Sequence, residues 1–246
     1  MAGNTGTPGA GVVGRVFTLL GVFDAEHPRL SLTAIARRSG LPLSTTHRLV
    51  AELVEEGALD TTGRDYTIGR RLWDIGLLAP VYGPLRQAAS PFLHDLYAAT
   101  GATTHLAVRD RDAALCLERL AGRTSAPVIG AIGSSLPLHA TGVGKVMLAH
   151  APAGVWQRVS ARLWPLTSHT VTDPWALSDE LSRVRREGFA TTSQEMTEGT
   201  SAVAVPVRQA GRVVAALGFV VSDPSERTGR LVTMLQAAAR GISRSL

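Results

Sequence analysis

The chain is poor in cysteine, lysine and aromatic residues and lacks any long apolar run. Its single cysteine excludes an intramolecular disulfide, and Cys116, inside Ala113-Ala-Leu-Cys-Leu117, reads as a buried strand residue. The N-terminal sequence has no basic segment followed by an apolar one, and no apolar run approaches about 18 residues. Secretion and membrane spanning are therefore disfavoured, and a cytoplasmic protein with no membrane partner is expected. The seven histidines form no His-x-x-x-His pair and no close cluster with Cys or Asp, and there is no Gly-x-Ser-x-Gly elbow. These gaps argue against a bound metal, a cofactor and an enzyme. A hydrophobic content of 45% with 18% charged residues is ordinary for a soluble globular chain, and 246 residues suffice for two small domains.

The clearest positive signal lies between Ser31 and Leu59. Leu32, Ile35 and Ala36 share one side of a short helix, and Gly40 stands just past it, where a left-handed residue is needed. From about Pro42 a second helix begins, with Thr46, Leu49, Val50 and Leu53 at i, i+3, i+4 and i+7 as its buried stripe. Its other side presents Ser44, Thr45, His47, Arg48 and Glu52. In a helix-turn-helix, the first half of the second helix enters the major groove, where hydroxyls, His and Arg meet phosphates and base edges. Ser44 and Thr45 are also suited to capping the helix. Thr61-Thr-Gly-Arg64 separates two short apolar segments, so a β-hairpin wing with Arg64 at its tip is expected. Upstream, Val13, Val16, Phe17 and Leu20 are expected to pack a further helix behind the motif. Double-stranded DNA is the implied partner, contacted by Ser44, Thr45, His47, Arg48, Arg37, Arg38 and Arg64.

Net charge does not carry that reading. Residues 1–82 hold eight arginines and eight acids, and the formal +5 arises wholly in residues 83–246. Recognition would rest on local placement, with Arg37, Arg38 and Arg48 on the motif and Glu26, Glu55, Glu56 and Asp60 facing elsewhere.

The chain resembles the IclR family of bacterial transcriptional regulators over nearly its whole length. The first match is Leu41-Pro-Leu-Ser-Thr-Thr-His-Arg-Leu49 with Val54-Glu-Glu-Gly57 and Tyr66-Thr-Ile-Gly69. A more diagnostic one is Leu136-Pro-Leu-His-Ala-Thr-Gly-Val-Gly-Lys-Val-Met-Leu-Ala149, followed by Arg186-Glu-Gly-Phe-Ala190, Thr200-Ser-Ala-Val-Ala-Val-Pro-Val207 and Val213-Val-Ala-Ala-Leu217. The resemblance implies a ligand-responsive repressor or activator, with repression the favoured reading, binding a palindromic operator as a homodimer or dimer of dimers. The expected fold class is α+β. Residues 1–10 are expected to be a disordered N-terminus, 11–69 a winged helix-turn-helix domain and 70–83 a linker helix with Leu72, Ile75 and Leu78 to one side. Residues 84–246 would form a GAF-like effector-binding and oligomerisation domain, an antiparallel sheet covered by helices. Within it, two hairpins turn at Asp110-Arg-Asp112 and Arg208-Gln-Ala-Gly-Arg212. Helical patterns run over 84–100, where Pro91 should kink the helix, and over 174–187 and 224–245.

Thr141-Gly-Val-Gly-Lys145 opens a helix with free backbone N–H groups, which favours an anion; a tight packing turn explains it equally well. It is no nucleotide loop, since Val146 replaces the magnesium-binding Ser or Thr and His139 stands where the upstream glycine would be. The resemblance implies a pocket formed by Leu136, Gly142, Val143, Thr192, Ala202, Gly218 and Val220. Members that bind small carboxylates carry an acid at the place of Thr192, a cysteine at Ala202 and serines at Gly218 and Val220. With those anchors gone, a small polar acid would be desolvated without compensation, so a larger, more apolar effector, such as an aromatic one, or no small effector is expected. Ser193, Glu195, Thr197, Glu198, Thr200 and Ser201 supply other polar groups nearby. His105 in a strand and His139 beside the glycine turn could line the pocket, although satisfied structural histidines are the expectation for both. A sensor acting through protein partners, with a degenerate DNA motif, is the rival reading.

Overall fold

Ser31 marks the point where strand becomes helix. In the computed structural model, which describes residues 11–24, 26–79, 82–122, 130–222 and 228–246, α1 (Val12–Leu20) is followed by a three-residue strand, β1 (Arg29–Ser31). The Ser31 hydroxyl then accepts a hydrogen bond from the Ala34 N–H at 3.3 Å and caps α2 (Leu32–Ser39). Gly40, at φ 68°, ends α2 in the left-handed region. The second helix, α3 (Leu43–Glu55), leaves from Pro42 and is followed by the hairpin β2 (Leu59–Thr62) and β3 (Asp65–Ile68), whose last rung pairs Thr62 with Asp65 around Gly63-Arg64. Leu19, Val22, Leu30, Ile35, Leu49, Val50 and Leu59 form the core of this unit, residues 1–81.

Two features of this unit differ from the sequence reading. β1 adds a third strand beside β3, with Leu30 opposite Tyr66, and three residues are too few to show a period. In α1 the buried residue is Leu19, while Val13 and Phe17 are 69% and 70% exposed, so half of the expected packing stripe faces out. The same holds for α4 (Arg70–Leu77), which is shorter than the expected linker helix. It buries no residue and leaves Trp73, Ile75, Leu77 and Leu78 exposed. The expected disorder of residues 1–10 and the first residues of the 224–245 helix lie outside the described residues.

The second unit, residues 82–246, is built on an antiparallel sheet. Its elements are α5 (Gly83–Thr100), β4 (Thr103–Asp110), β5 (Ala113–Leu120), β6 (Ser135–Pro137), α6 (Gly142–Ala149), α7 (Ala153–Ser160), α8 (Pro174–Glu187), β7 (Ala190–Ser193), β8 (Ser201–Gln209), β9 (Arg212–Val221) and α9 (Thr228–Arg244). The strand order is β6-β5-β4-β9-β8-β7. α5 runs unbroken through Pro91. The β8–β9 turn rests on Ala210 and Gly211, both at positive φ, the pair that a two-residue hairpin loop between right-twisted strands requires. α8 starts where the Asp173 carboxylate accepts from the Ala176 N–H at 2.9 Å and stops at Gly188, φ 77°.

The two faces of the sheet bury residues of different size. Leu106, Val108, Val203, Val205, Val207, Leu217 and Phe219 pack against α5 and α9. Ala107, Ala114, Ala204 and Ala216 face α6 and α8. The small residues let α6 approach the strands: a Cβ added at Gly142 would stand 3.3 Å from those of both Ala202 and Ala204. Where the helix ends, this shallow face stays open.

Candidate nucleic-acid interface and ligand cavity

On α3, Thr46, Leu49 and Val50 are buried and Leu53 partly so, which turns Ser44, His47, Arg48 and Glu52 to solvent and leaves Thr45 half-buried. No side chain caps this helix, so the hydroxyls of Ser44 and Thr45 are not consumed in capping. The Arg48 Nη1 donates to Glu52 Oε1 at 2.7 Å, one turn along the helix. Both side chains are more than half exposed, and such a pair is worth a few tenths of a kcal/mol, so a phosphate or base edge competes for the guanidinium at little cost. Arg37 in the last turn of α2 and Arg64 at the hairpin tip are exposed. Arg38 is engaged within its unit instead. Its Nη2 donates to Asp24 at 2.7 Å and its Nε to the Val22 carbonyl at 3.2 Å, tying α2 to the segment after α1, so a phosphate contact would compete with both bonds.

In the second unit, a cavity opens where the N-terminus of α6 meets the shallow face. It encloses about 530 Å³ of space between atoms, a figure that includes the open solvent at its mouth. All seven residues singled out from the sequence, Leu136, Gly142, Val143, Thr192, Ala202, Gly218 and Val220, line it. Its floor is two rungs of the sheet. One brings Thr192, Ala202 and Val220 to it and continues to Thr103 beyond the lining; the other brings Ala204, Gly218 and His105, with Ala190 and Arg119 beyond the lining at its two ends. Thr141 caps α6, its hydroxyl accepting from the Gly144 N–H at 3.1 Å. The preceding N–H groups, of Gly142 and Val143, have no intrahelical acceptor and carry the positive end of the helix dipole at the cavity wall.

The loop after β7 divides its polar residues. Met196, Thr197, Thr200 and Ser201 line the cavity, whereas Glu195 turns away to Lys145, the chain's only lysine. The Lys145 Nζ donates to both Glu195 oxygens, at 2.6 and 2.7 Å, and to Glu180 Oε2 on α8 at 2.6 Å. Burial pushes the Glu195 carboxyl above the usual carboxylate range against the pull of Lys145. The bond set fastens the cavity rim to α6 and α8. Its partners lie 35 and 50 residues from Lys145, which is why the sequence carried no sign of it.

His105 corrects an expectation. It is 4% exposed, lines the cavity, and its Nε2 is enclosed without a hydrogen-bond partner, so it is not the satisfied structural histidine anticipated. His139 lies outside this cavity. Its Nε2 bonds the Trp164 carbonyl at 3.0 Å while its Nδ1 is enclosed and unpartnered. Cys116 is buried as expected, and burial pushes its thiol up to about 11, which makes it a poor nucleophile.

Burial, reinforced by the charge of Arg119, holds the His105 imidazole down to about 4, against about 6.5 in an unfolded chain. The fold thus favours the neutral ring. Its contribution is intact above pH 6.5 and is lost as the pH falls from there towards 4, a change of about 3 kcal/mol for a group this enclosed. His105→Gln should lose less stability than the unaltered protein between pH 7.5 and 4.5, as measured by denaturant titration at the two pH values. Equal losses in the two proteins would contradict this.

Residues 82–244 match the family described as bacterial transcriptional regulator IclR C-terminal, and residues 12–63 match the IclR helix-turn-helix domain. Among relatives, the HTH-type transcriptional regulator XynR of Escherichia coli is 31% identical over 95% of this chain and 96% of its own length. BhcR of Paracoccus denitrificans, also an HTH-type transcriptional regulator, is 32% identical over 98% of this chain and 90% of its own. A crystal structure of an IclR homolog from Microbacterium hydrocarbonoxydans, complexed with 4-hydroxybenzoate, superposes with a TM-score of 0.89 at 32% identity, covering 95% of this chain and 98% of that one. No helix among the described residues is long and apolar enough to cross a membrane.

Proposed function

The chain belongs to the IclR family of bacterial transcriptional regulators, and from that premise we propose that it is a cytoplasmic, effector-controlled repressor that binds an imperfect palindrome as a dimer or dimer of dimers. The observation that carries the effector half of this reading is the single cavity that gathers Leu136, Gly142, Val143, Thr192, Ala202, Gly218 and Val220 at the N-terminus of α6. The effector is an aromatic acid. Its carboxylate meets the N–H groups of Gly142 and Val143, and its ring lies among the apolar side chains of the lining, Leu136, Val143, Met196 and Val220. The 4-hydroxybenzoate held by the Microbacterium homolog supports that class. Saturable calorimetric binding of pyruvate or glyoxylate would refute it.

The winged unit, residues 11–69, reads DNA with the outer face of α3, where Ser44, Thr45, His47 and Arg48 contact base edges and phosphates. Arg37 and Arg64 add phosphate contacts. The exposed apolar side chains of α1 and of the linker helix α4, Phe17, Trp73, Ile75 and Leu78 among them, supply the dimer contact. Effector binding changes operator affinity by as much as the effector prefers one arrangement of the dimer over the other.

Capture of fragmented genomic DNA by the purified protein tests this directly. The expected result is enrichment of a palindromic site, with Arg48→Ala weakening binding about 10- to 100-fold, the loss of a bidentate base contact, and Arg37→Ala weakening all sequences alike. Enrichment that survives Arg48→Ala unchanged would assign recognition elsewhere. No enrichment at all would favour a sensor acting through protein partners.

A further inference from the structure

The four enclosed side-chain polar atoms without partners among the described residues are not scattered. Thr103 Oγ1, His105 Nε2 and Arg119 Nε, three of the four, belong to one patch of one sheet face. His105 stands directly across from Arg119 on one side and Gly218 on the other, and Thr103 is two residues along the same strand. A fold satisfies almost all of its buried polar groups, and each one left unpaired costs about 1–3 kcal/mol. Of the three, His105 lines the cavity, and an enclosed ring nitrogen left without a partner at a cavity wall is what a site shows when its partner is a ligand. Gly218 lies between His105 and Ala204 on that rung and lets Val143 pack over it: a Cβ added there would stand 3.2 Å from Val143 Cγ1.

We propose that His105 is a specificity-determining anchor of the cavity, selecting effectors that carry a hydroxyl group on the ring, so that hydroxylated aromatic acids bind in preference to unsubstituted ones. This rests on the aromatic-acid reading above and adds a second polar contact to the one made with the carboxylate. The imidazole is neutral at physiological pH, so Nε2 accepts from a hydroxyl or donates to it according to tautomer, and a hydroxyl fits either. A second carboxylate would be far costlier to enclose beside Ala, Gly, Val and Phe side chains. Arg119 adds its Nε–H to the same patch; its Nη1 is held by the Gly130 carbonyl at 2.9 Å.

The test compares calorimetric affinities for benzoate and 4-hydroxybenzoate in the unaltered protein, His105→Leu and His105→Gln. The unaltered protein should bind 4-hydroxybenzoate about tenfold more tightly, the value of one hydrogen bond to an otherwise unpaired group. His105→Leu should bring the two affinities to within about twofold by weakening 4-hydroxybenzoate alone, and His105→Gln should restore part of the preference. The ligand-free His105→Leu protein should melt no lower than the unaltered one at neutral pH, because it loses an enclosed unpaired atom, and this separates ligand selection from a structural role. Absence of a preference in the unaltered protein, or a preference that persists in His105→Leu, overturns the inference while leaving the aromatic-acid reading in place. Failure of both acids to bind overturns both.

Discussion

Lys145→Ala is expected to destabilise the second unit by about 4 kcal/mol, because it removes the cation paired with the buried Glu195 and leaves an uncompensated charge inside the protein. For a unit of this size that corresponds to a fall in melting temperature of about 10 °C, read by calorimetry or circular dichroism. Much of the loss belongs to Glu195, which is 6% exposed, and little to Glu180, whose side chain is 31% exposed and able to turn to water. Lys145→Met combined with Glu195→Gln should therefore recover much of the stability, since a neutral pair avoids the desolvation that the ion pair bears. A double variant no more stable than Lys145→Ala would show that the cost comes from packing and not from charge. The change also reaches the ligand. Glu195 anchors the loop that carries Met196, Thr197 and Thr200 along the cavity, so the double variant should fold yet bind effector more weakly.

Gly144→Ala should be nearly as damaging, at about 3 kcal/mol. The added methyl would stand 2.4 Å from Thr141 Oγ1, 2.6 Å from the Pro137 carbonyl oxygen and 2.7 Å from Leu138 Cα. Two of these are backbone atoms, and no rotamer change relieves them. The first turn of α6 must shift, which displaces the Gly142 and Val143 N–H groups from the cavity wall. Gly142→Ala is the informative contrast: its methyl would meet the Ala202 and Ala204 methyls at 3.3 Å and the Ala204 nitrogen at 3.7 Å. A melting temperature for Gly144→Ala within a degree or two of the unaltered protein would show that the α6 turn is softer than these distances imply.

The sequence revealed elements whose pattern is long enough to be periodic and whose ends carry local signals. α8, read over 174–187, keeps those bounds because its cap Asp173, its apolar stripe and its stop residue Gly188 are all local to it. The β4–β5 and β8–β9 hairpins were legible from alternation around short polar turns. β1 and β6, three residues each, and β7, four, have no period to read and exist because a neighbouring strand offers them hydrogen bonds. Val13 and Phe17 show a different limit. An apolar stripe reports that a helix face avoids water but not whether the covering surface belongs to the same chain, and here the interior takes Leu19 instead. His105 shows a third: its residue type and strand position could be read, but whether its ring nitrogen finds a partner depends on Arg119 and Gly218, which the sheet brings beside it from distant parts of the sequence.

The enclosure of Lys145 has a practical side. The side chains offer one primary amine, and it is 1% exposed, so succinimidyl dyes, amine-coupled sensor surfaces and lysine acetyltransferases find no reactive side-chain group on the folded surface. The positive charge proposed to meet DNA is carried by arginine alone, which stays protonated at any physiological pH and cannot be neutralised by acetylation. Chemical trapping of this protein on its operator is therefore better designed around guanidinium or photochemical reagents than around amine-directed cross-linkers.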